Sequence, residues 1–177
     1  MGRARRGDTG AFETLLRRHF RAAFLVAMAQ LGERAEAEDA CQESFVRAWE
    51  HLKECRDGAR FGAWLVSIAR NAAHNRREYL RVRRVEPLDD DLSGSGAISA
   101  QAGLERRELA GALRAALAQL TPVQREVVLL HDLDDWRHRQ IAEVLEISEE
   151  MSRRHVSDAR KRLRQLLRAR AEDADHG

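Results

Sequence analysis

Residues 121–134, TPVQREVVLLHDLD, open the part of the chain that decides its fold. Thr121 is typical of a helix N-cap and Pro122 of a first helical residue, and Gln124 completes a capping box with Thr121. The apolar residues of this segment recur at helical spacing and are expected to form its buried side, namely Val127, Val128, Leu130 and Leu133. The segment therefore predicts a helix with a well-defined start and one buried face.

Two more helices are predicted after short turns. Asp135 is expected to open a second, short helix, and Ser148 to cap a third. Both have apolar stripes, which are Ile141, Ala142, Val144 and Leu145 in the second helix and Val156, Ala159, Leu163, Leu166 and Leu167 in the third. Three helices in this order, with caps and short turns, favour a helix-turn-helix motif.

The third helix of this motif is cationic on the side opposite its apolar stripe. At about 100° per residue, six bases lie there, namely Arg153, Arg154, Arg160, Lys161, Arg164 and Arg168. A helix that packs on one side and is cationic on the other suits insertion into the major groove of DNA. A merely solvated arginine-rich surface is the alternative interpretation.

The N-terminal part of the chain predicts a helical bundle. Helices are expected over residues 11–31, ended by Gly32, over residues 35–52, and from Phe61 onwards. Their core positions are expected at Phe12, Leu15, Leu16, Phe24, Cys41, Phe45, Ala48, Trp49, Leu52, Phe61, Trp64, Leu65, Ile68 and Ala72. Opposite the core side of the third helix lie four arginines within about 60° of arc, which favours a phosphate-facing surface: Arg70, Arg77, Arg81 and Arg84.

Charge is distributed unevenly although the net charge of the 177 residues is only +2. Residues 33–54 hold seven acids and three bases, residues 60–84 hold seven bases and one acid, and residues 153–170 hold eight bases and one acid. This pattern predicts two surfaces for a polyanion and a separate acidic surface for another partner.

A linker is predicted between two domains. Residues 85–104 have no base, and they contain Pro87, the acids 89–91 and the Ser-Gly repeat 93–96, a composition typical of an extended, flexible connection. We therefore predict an all-α chain with domains at residues 8–84 and 105–170, joined by an acidic linker at 85–104 and followed by a tail at 171–177.

Several classes of protein are disfavoured. Cys41 and Cys55 form no CxxC pair, and the histidines lack metal-ligand spacing, so neither a metal nor another cofactor is expected. No catalytic motif or small-molecule site is evident, which argues against an enzyme. The longest apolar run is too short to span a bilayer, and no cleavable signal is present. A cytoplasmic protein without membrane insertion is expected.

Four segments resemble the sigma-70 family of transcription initiation factors. Residues 36–49, EAEDACQESFVRAW, resemble its region 2.2, and residues 61–71, FGAWLVSIARN, resemble regions 2.3 and 2.4. Residues 120–127, LTPVQREV, and 141–148, IAEVLEIS, resemble region 4. Because the chain has only these two domains, it is similar to the extracytoplasmic-function (ECF) group, over about residues 8–167.

The resemblance implies core RNA polymerase, promoter DNA and an anti-sigma factor as partners. In the family the region 2.2 helix docks on a coiled coil of the largest polymerase subunit, a role that passes here to Asp39, Gln42 and Glu43. The acidic balance of that helix suits a basic partner. A ladder of ion pairs within the helix is the alternative interpretation of these residues.

The third N-terminal helix and the loop before it resemble the part that opens the minus-ten element. A flipped base would be held by the loop backbone and by Asn71 and Asn75, whose amides donate and accept hydrogen bonds. Phosphates would be held by Arg70, Arg76, Arg77 and Arg81. Ser67 lies beside these arginines, and Phe61 is expected either to stack on a base or to lie in the core.

Region 4 would read the minus-thirty-five element through seven residues, namely Glu150, Ser152, Arg153, Arg154, Ser157, Asp158 and Lys161. The sequence departs from the family at three places. Glycine is common at the position of Glu146, and small residues are common at the positions of Glu150 and Met151. A basic residue is common at the position of Asp158. Carboxylates repel phosphate but accept from cytosine amino groups, so these departures affect the target sequence.

Two other functions are compatible with the helices alone. One is a helix-turn-helix regulator that is not a polymerase subunit, and the other is a helical adaptor held by a partner protein. The docking residues and the asparagine-bearing basic helix favour an ECF-type sigma factor that binds core polymerase, directs it to promoters and assists promoter opening.

Overall fold

The structure, a computed structural model, describes residues 1–83 and 100–175, and the side chains of residues 1–83 and 109–170. In these residues there are eight α-helices and no strand, as expected for an all-α chain. The helices are α1 Gly2–Arg5, α2 Thr9–Leu31, α3 Arg34–Glu50, α4 Phe61–Arg83, α5 Ala100–Ala118, α6 Pro122–Asp134, α7 His138–Leu145 and α8 Glu149–Asp175. We call α1–α4 the N-terminal domain and α5–α8 the C-terminal domain.

The N-terminal domain is a bundle of α2, α3 and α4. Asp8 caps α2 by accepting from the Ala11 amide at 2.9 Å, and Gly32 ends it in the left-handed conformation, φ 76°. Small residues fill the centre of the bundle, so its helices approach closely: Ala23, Ala27, Ala37, Ala40, Ala69, Ala72 and Ala73. Larger side chains close one end, namely Phe12, Leu52, Phe61 and Leu65. Of the expected core residues, Trp49 is the exception, because it is exposed.

The C-terminal domain begins its helix-turn-helix as predicted. The Thr121 hydroxyl accepts from the Gln124 amide at 3.3 Å, and the Gln124 side chain accepts from the Thr121 amide at 3.2 Å. Ser148 accepts from the amide of Met151 at 3.0 Å and so caps α8. These hydrogen bonds satisfy amides that the first helical turn leaves without partners.

Two sequence expectations for α6 and α7 are wrong. Asp135 does not open α7; it ends α6 in the left-handed conformation, φ 54°, and α7 begins at His138 after Arg137. Leu133 is exposed rather than buried.

Glu146 occupies the position at which the sigma-70 family, which this sequence resembles, commonly has glycine. It ends α7 with φ 56°, a conformation that costs a residue with a side chain more than it costs glycine. Its amide donates to the Ala142 carbonyl. The turn therefore keeps the geometry that glycine favours although glycine is absent.

The predicted boundaries are only partly covered by the described residues. Residues 85–99 of the predicted linker lie outside them, and α5 begins at Ala100. At the other end, α8 continues into the expected tail as far as Asp175.

The two domains pack against each other. Helix α2 contacts α6, and α4 contacts α7. One hydrophobic cluster joins Ala22, Val26 and Val66 of the N-terminal domain to Val127, Leu130, Trp136, Ile141, Val144, Leu145 and Val156 of the C-terminal domain. The Arg125 guanidinium also donates to the Ala29 carbonyl at 2.6 Å across the boundary. The chain is thus closed, with part of α2 and α4 covered by the C-terminal domain.

No helix within residues 1–83 or 100–175 has the length and apolar character required to cross a membrane.

Candidate protein- and nucleic-acid-binding surfaces

Helix α3 presents an acidic surface at the three predicted docking residues. Asp39, Gln42 and Glu43 are all exposed. Glu43 accepts from Arg47 at 2.5 Å, and Asp39 lies 3.6 Å from Arg76 of α4. The geometry therefore supports both the docking interpretation and the ion-pair interpretation of this helix. Glu43 and Arg47 form an i,i+4 ion pair, and the surface on which they lie is also open to a partner.

Apolar residues extend this acidic surface. Val46 is exposed one turn beyond Glu43, and Trp49 is exposed one turn further. Sequence reasoning missed Val46 and assigned Trp49 to the core. The signal for Val46 was its spacing of i+3 from Glu43, which places it on the same side of the helix. A surface with an apolar centre and a charged rim is typical of protein–protein interfaces.

Helix α4 presents both predicted base-contacting amides. Asn71 and Asn75 are exposed and lie one turn apart. Tyr79 follows one turn later, half-exposed, with the Arg83 guanidinium 5.2 Å from its ring centre. Sequence reasoning missed Tyr79, although its i+4 spacing from Asn75 is visible in the sequence. An exposed ring beside two amides suits stacking on a base together with hydrogen bonding to a base edge.

The predicted phosphate-binding arginines do not lie on one surface. Arg70 donates to Glu126 of α6 at 3.1 Å, and Arg77 donates to Gln30 at 2.5 Å. Arg81 is exposed and pairs with Glu78 at 3.2 Å. Arg76 faces α3 instead, where its hydrogen bond with Glu36 raises its pKa. Arg84 lies outside the described residues.

Two other residues predicted to face the minus-ten DNA are placed differently. Phe61 is only 1% exposed and packs edge-on against Phe12, so it is a core residue rather than a stacking platform. Ser67 is half-buried, and its hydroxyl donates to the Trp64 carbonyl at 2.7 Å. Both lie on the part of α4 that packs into the bundle.

Helix α8 exposes six of the seven residues predicted to read the minus-thirty-five element, namely Glu150, Arg153, Arg154, Ser157, Asp158 and Lys161. Arg153 donates to Glu149 at 3.0 Å, and Arg154 lies 3.8 Å from Asp158. The seventh residue, Ser152, is 0% exposed. Its hydroxyl lies 3.0 Å from Nδ1 of His138 and joins α8 to α7, so the prediction that Ser152 faces DNA is wrong.

A cationic cavity of about 280 Å³ lies beside this surface. It is lined by His131, His138, Arg153, Val156, Ser157, Arg160 and Arg164. The two imidazole rings stack with their centres 4.5 Å apart. Hydrogen bonding from Arg160 holds the pKa of Asp132 below its usual value, and burial lowers the pKa of His138, with the neighbouring His131 and Arg153 adding to the effect.

We expect the depressed histidine pKa values to make stability pH-dependent. Burial lowers the pKa of both His138 and His19 below the ordinary value of 6.5, so between the folded and unfolded pKa values the unfolded chain binds more protons. The free energy of unfolding is then highest above about pH 6.5 and falls as the pH is lowered. Thermal melts between pH 7.5 and 5.5 should show this fall, and His138→Asn should reduce but not abolish it, since His19 remains. An identical pH profile in the variant would contradict the role of His138.

Within the described residues, no group of three or more His, Cys, Asp or Glu side chains is arranged to hold a metal ion.

Family models match both domains. The sigma-70 region 2 model matches residues 15–84, and the model of sigma-70, region 4 matches residues 110–163. The matched segments contain α3, α4, α6, α7 and the first part of α8, which are the elements that carry the surfaces described above.

Similar proteins agree with these matches. The ECF RNA polymerase sigma factor SigL of Mycobacterium tuberculosis is 35% identical over 146 residues, which are 80% of this chain and 80% of that protein. The RNA polymerase sigma factor CarQ of Myxococcus xanthus is 34% identical over 170 residues, 94% of this chain and 95% of that protein. A solved structure of CnrH in complex with the cytosolic domain of CnrY has a TM-score of 0.68 and 26% identity, covering 95% of this chain and 94% of that one.

An all-α chain with a helix-turn-helix and a separate acidic helix, matched in both domains by sigma-70 models, belongs to the class of DNA-binding transcription initiation factors. This chain belongs to the sigma-70 family, in its ECF group. It binds core RNA polymerase and directs it to promoters, and it is not an enzyme, since the polymerase performs the chemistry. The alternative of a helix-turn-helix regulator that is not a polymerase subunit is excluded by this membership.

Proposed function

We propose that three surfaces divide the work of this sigma factor. Asp39, Gln42 and Glu43 of α3 bind core polymerase, with Val46 and Trp49 as the apolar part of the contact. The exposed face of α4 engages the opened minus-ten element, and α8 reads the minus-thirty-five element. The observation that carries this proposal is that each surface is exposed on a different helix and lies within a family match.

On α4 we assign base contacts and phosphate contacts to different residues. Asn71 and Asn75 take base edges and Tyr79 stacks, because amides and an aromatic ring offer those contacts. Arg70, Arg77 and Arg81 take phosphates, which position the strand without reading its sequence. Arg76 is left out of this set because it is held by Glu36 of α3.

We also propose that the chain acts in the cytoplasm and is controlled by an anti-sigma protein. The cytoplasm is where its polymerase and promoter partners are found. A protein partner is supported by the solved neighbour CnrH, whose structure contains a second protein, the cytosolic domain of CnrY.

The test of these assignments is transcription with purified core polymerase on a library of randomised promoters. We expect the chain to enrich a two-part promoter with a minus-ten and a minus-thirty-five element. Failure to support transcription from any member of the library would contradict the proposal. The enriched sequences would also identify the promoter elements that the chain recognises.

We expect Glu150 and Asp158 to tune DNA binding rather than stability. Both are exposed on α8, and Asp158 makes only a long i,i+4 pair with Arg154, a kind of contact that contributes about 0.2–0.5 kcal/mol. Glu150→Gln and Asp158→Asn should raise affinity for DNA in general severalfold. They should also shift the preferred minus-thirty-five sequence, since a base contact contributes about 1–3 kcal/mol of discrimination.

Library selection with each variant and thermal melts measure these two effects. A matched control is Glu13→Gln, which removes an exposed i,i+4 partner of Arg17 in the N-terminal domain. An unchanged sequence preference combined with a large loss of melting temperature would show that the acids of α8 are structural.

A further inference from the structure

The cavity of about 280 Å³ between α6, α7 and α8 has no role in the surfaces proposed above. The described residues that line it include no carboxylate. Its polar lining consists of two histidines, three arginines and a serine, namely His131, His138, Arg153, Arg160, Arg164 and Ser157. Guanidinium, imidazole and hydroxyl groups that converge on one space are the donors with which proteins bind phosphate.

The cavity lies beside the base-reading side of α8. Arg153, Arg160 and Arg164 are spaced at i, i+7 and i+11, so they share one side of the helix. Arg154 and Lys161, which belong to the surface assigned to the minus-thirty-five element, project about 90° away around the helix axis. A ligand in the cavity would therefore lie next to the recognition surface and leave most of it open.

Most of the arginine charge around this cavity is already neutralised. Arg160 pairs with Asp132 at 2.6 Å, and Arg153 pairs with Glu149 at 3.0 Å. Arg164 is exposed and has no ion pair among the described side chains. When both histidines are neutral, only the charge of Arg164 is uncompensated, so the protonation of the histidines decides how strongly the cavity attracts an anion.

His131 can donate to an anion only after it takes up a proton. Its Nδ1 lies 2.7 Å from the carboxylate of Asp132, and hydrogen bonding from Arg160 holds the pKa of Asp132 below its usual value. The ionised carboxylate accepts the hydrogen of Nδ1, so Nε2 of the neutral ring carries a lone pair, which repels a phosphate oxygen. Protonation converts Nε2 into a donor.

His138 opposes that proton as long as no anion is near. Its ring stacks on the ring of His131 with the centres 4.5 Å apart, and two imidazolium rings at that distance repel each other. Burial lowers the pKa of His138, with His131 and Arg153 adding to the effect. An anion beside both rings removes this opposition.

The other charged groups around the two rings come from all three helices. On α6 and the turn after it they are Asp132 and Asp135, before and on α7 they are Arg137 and Arg139, and on α8 they are Glu149, Arg153, Arg160 and Arg164. These are five bases and three acids, so the surroundings favour neutral rings until a negative group binds.

We propose that this cavity binds a phosphate group together with a proton, which the stacked pair of His131 and His138 takes up. The phosphate oxygens accept from Arg164 and from the protonated pair. Because the anion and the proton each strengthen the binding of the other by the same factor, affinity for the anion increases as the pH falls. The phosphate belongs either to the DNA backbone beside the minus-thirty-five element, a source that rests on the proposed function, or to a free phosphorylated small molecule.

Sulfate is the probe for this site, because it resembles phosphate in shape and charge and stays a dianion between pH 5.5 and 7.5. The ring NMR signals of His138 in the full-length chain are titrated with and without sulfate, at an ionic strength matched with chloride. We expect sulfate to raise the pKa of His138 by at least about 1, and affinity for sulfate to increase severalfold from pH 7.5 to 5.5. The ring signals of His51, exposed at the end of α3, should titrate alike with and without sulfate.

Arg164→Gln and its matched control Arg168→Gln test the assignment of the cavity. Both arginines are exposed on α8 one turn apart, but only Arg164 lines the cavity. We expect Arg164→Gln to weaken sulfate binding at least threefold and to reduce the rise in the pKa of His138, and Arg168→Gln to behave like the wild type. A pKa of His138 that sulfate leaves unchanged, or equal losses in the two variants, would overturn the proposed site.

Promoter binding by the complex with core polymerase identifies the source of the phosphate. If DNA supplies it, Arg164→Gln weakens binding to every promoter alike, more at pH 6 than at pH 7.5, and reduces the salt dependence by about one unit. If a free molecule supplies it, Arg164→Gln leaves promoter affinity unchanged although its sulfate binding is impaired. Failure of the wild-type complex to bind any promoter would contradict the proposed function, whereas the NMR titration of the chain alone would still report the site.

Discussion

Glu43→Lys is expected to weaken binding to core RNA polymerase by about tenfold to a hundredfold, which corresponds to about 1.4–2.7 kcal/mol. Glu43 is exposed near the centre of the acidic surface of α3, between Asp39 and the apolar residues Val46 and Trp49. Reversing its charge places a cation against a partner surface that we expect to be basic, and like charges at an interface are strongly unfavourable. Competition for core polymerase against a labelled sigma factor measures the change.

A control on the same helix separates docking from helix stability. Glu38 also forms an i,i+4 pair, with Arg34 at 2.7 Å, but it lies about 140° around the helix from Glu43. Glu38→Lys therefore removes an equivalent ion pair from a different side of α3 and should leave polymerase affinity nearly unchanged. Equal losses in the two variants would show that the acids act through the helix, and no loss in Glu43→Lys would remove the docking assignment.

Asn71→Ala is expected to change base preference in the minus-ten element by about 1–3 kcal/mol, or roughly fivefold to 150-fold in the ratio of affinities for two bases. The reason is that an exposed amide both donates and accepts, so it distinguishes base edges that a methyl group cannot. Binding of the polymerase complex to promoters that differ at a single minus-ten position measures the ratio.

Arg81→Ala provides the comparison for this experiment. Arg81 is exposed on the same helix and pairs with its neighbour Glu78, whereas replacing Arg70 would also remove a hydrogen bond to the buried Glu126 of α6. Loss of one phosphate contact should weaken binding to every promoter alike and reduce the salt dependence by about one unit. If Asn71→Ala gives this same uniform loss, Asn71 does not read a base.

The sequence predicted correctly the helix caps and helix ends that depend on interactions between neighbouring residues. The capping box of Thr121 and Gln124, the cap at Ser148 and the end of α2 at Gly32 depend on residues within one or two turns, so the sequence pattern was sufficient for them. The exposure of Asn71, Asn75 and Glu43 followed from helical periodicity for the same reason. The family resemblance rested on segments of this kind.

Errors arose where a choice depended on distant residues. Phe61 and Ser152 have residue types and spacings that fit a DNA surface, yet Phe61 packs against Phe12 and Ser152 bonds to His138. Arg76 shares its helix with Arg70, but the position of α3 decides that it binds Glu36. No periodicity within one helix contains this information, because it depends on which other helix lies beside it.

The sequence by itself determined the all-α class, the caps and turns of the helix-turn-helix, and the three charged or polar helix faces, since all of these follow from neighbours within a few residues. Only the tertiary structure decided which of those faces remain open. Glu126 has a charged side chain, a type that is usually exposed, and packing against α2 and α4 makes it a buried partner of Arg70. Glu126 and Arg70 are 56 positions apart in the sequence, so no local pattern shows that they meet. The effect of a buried charge on the structure depends on the partner that the fold places beside it.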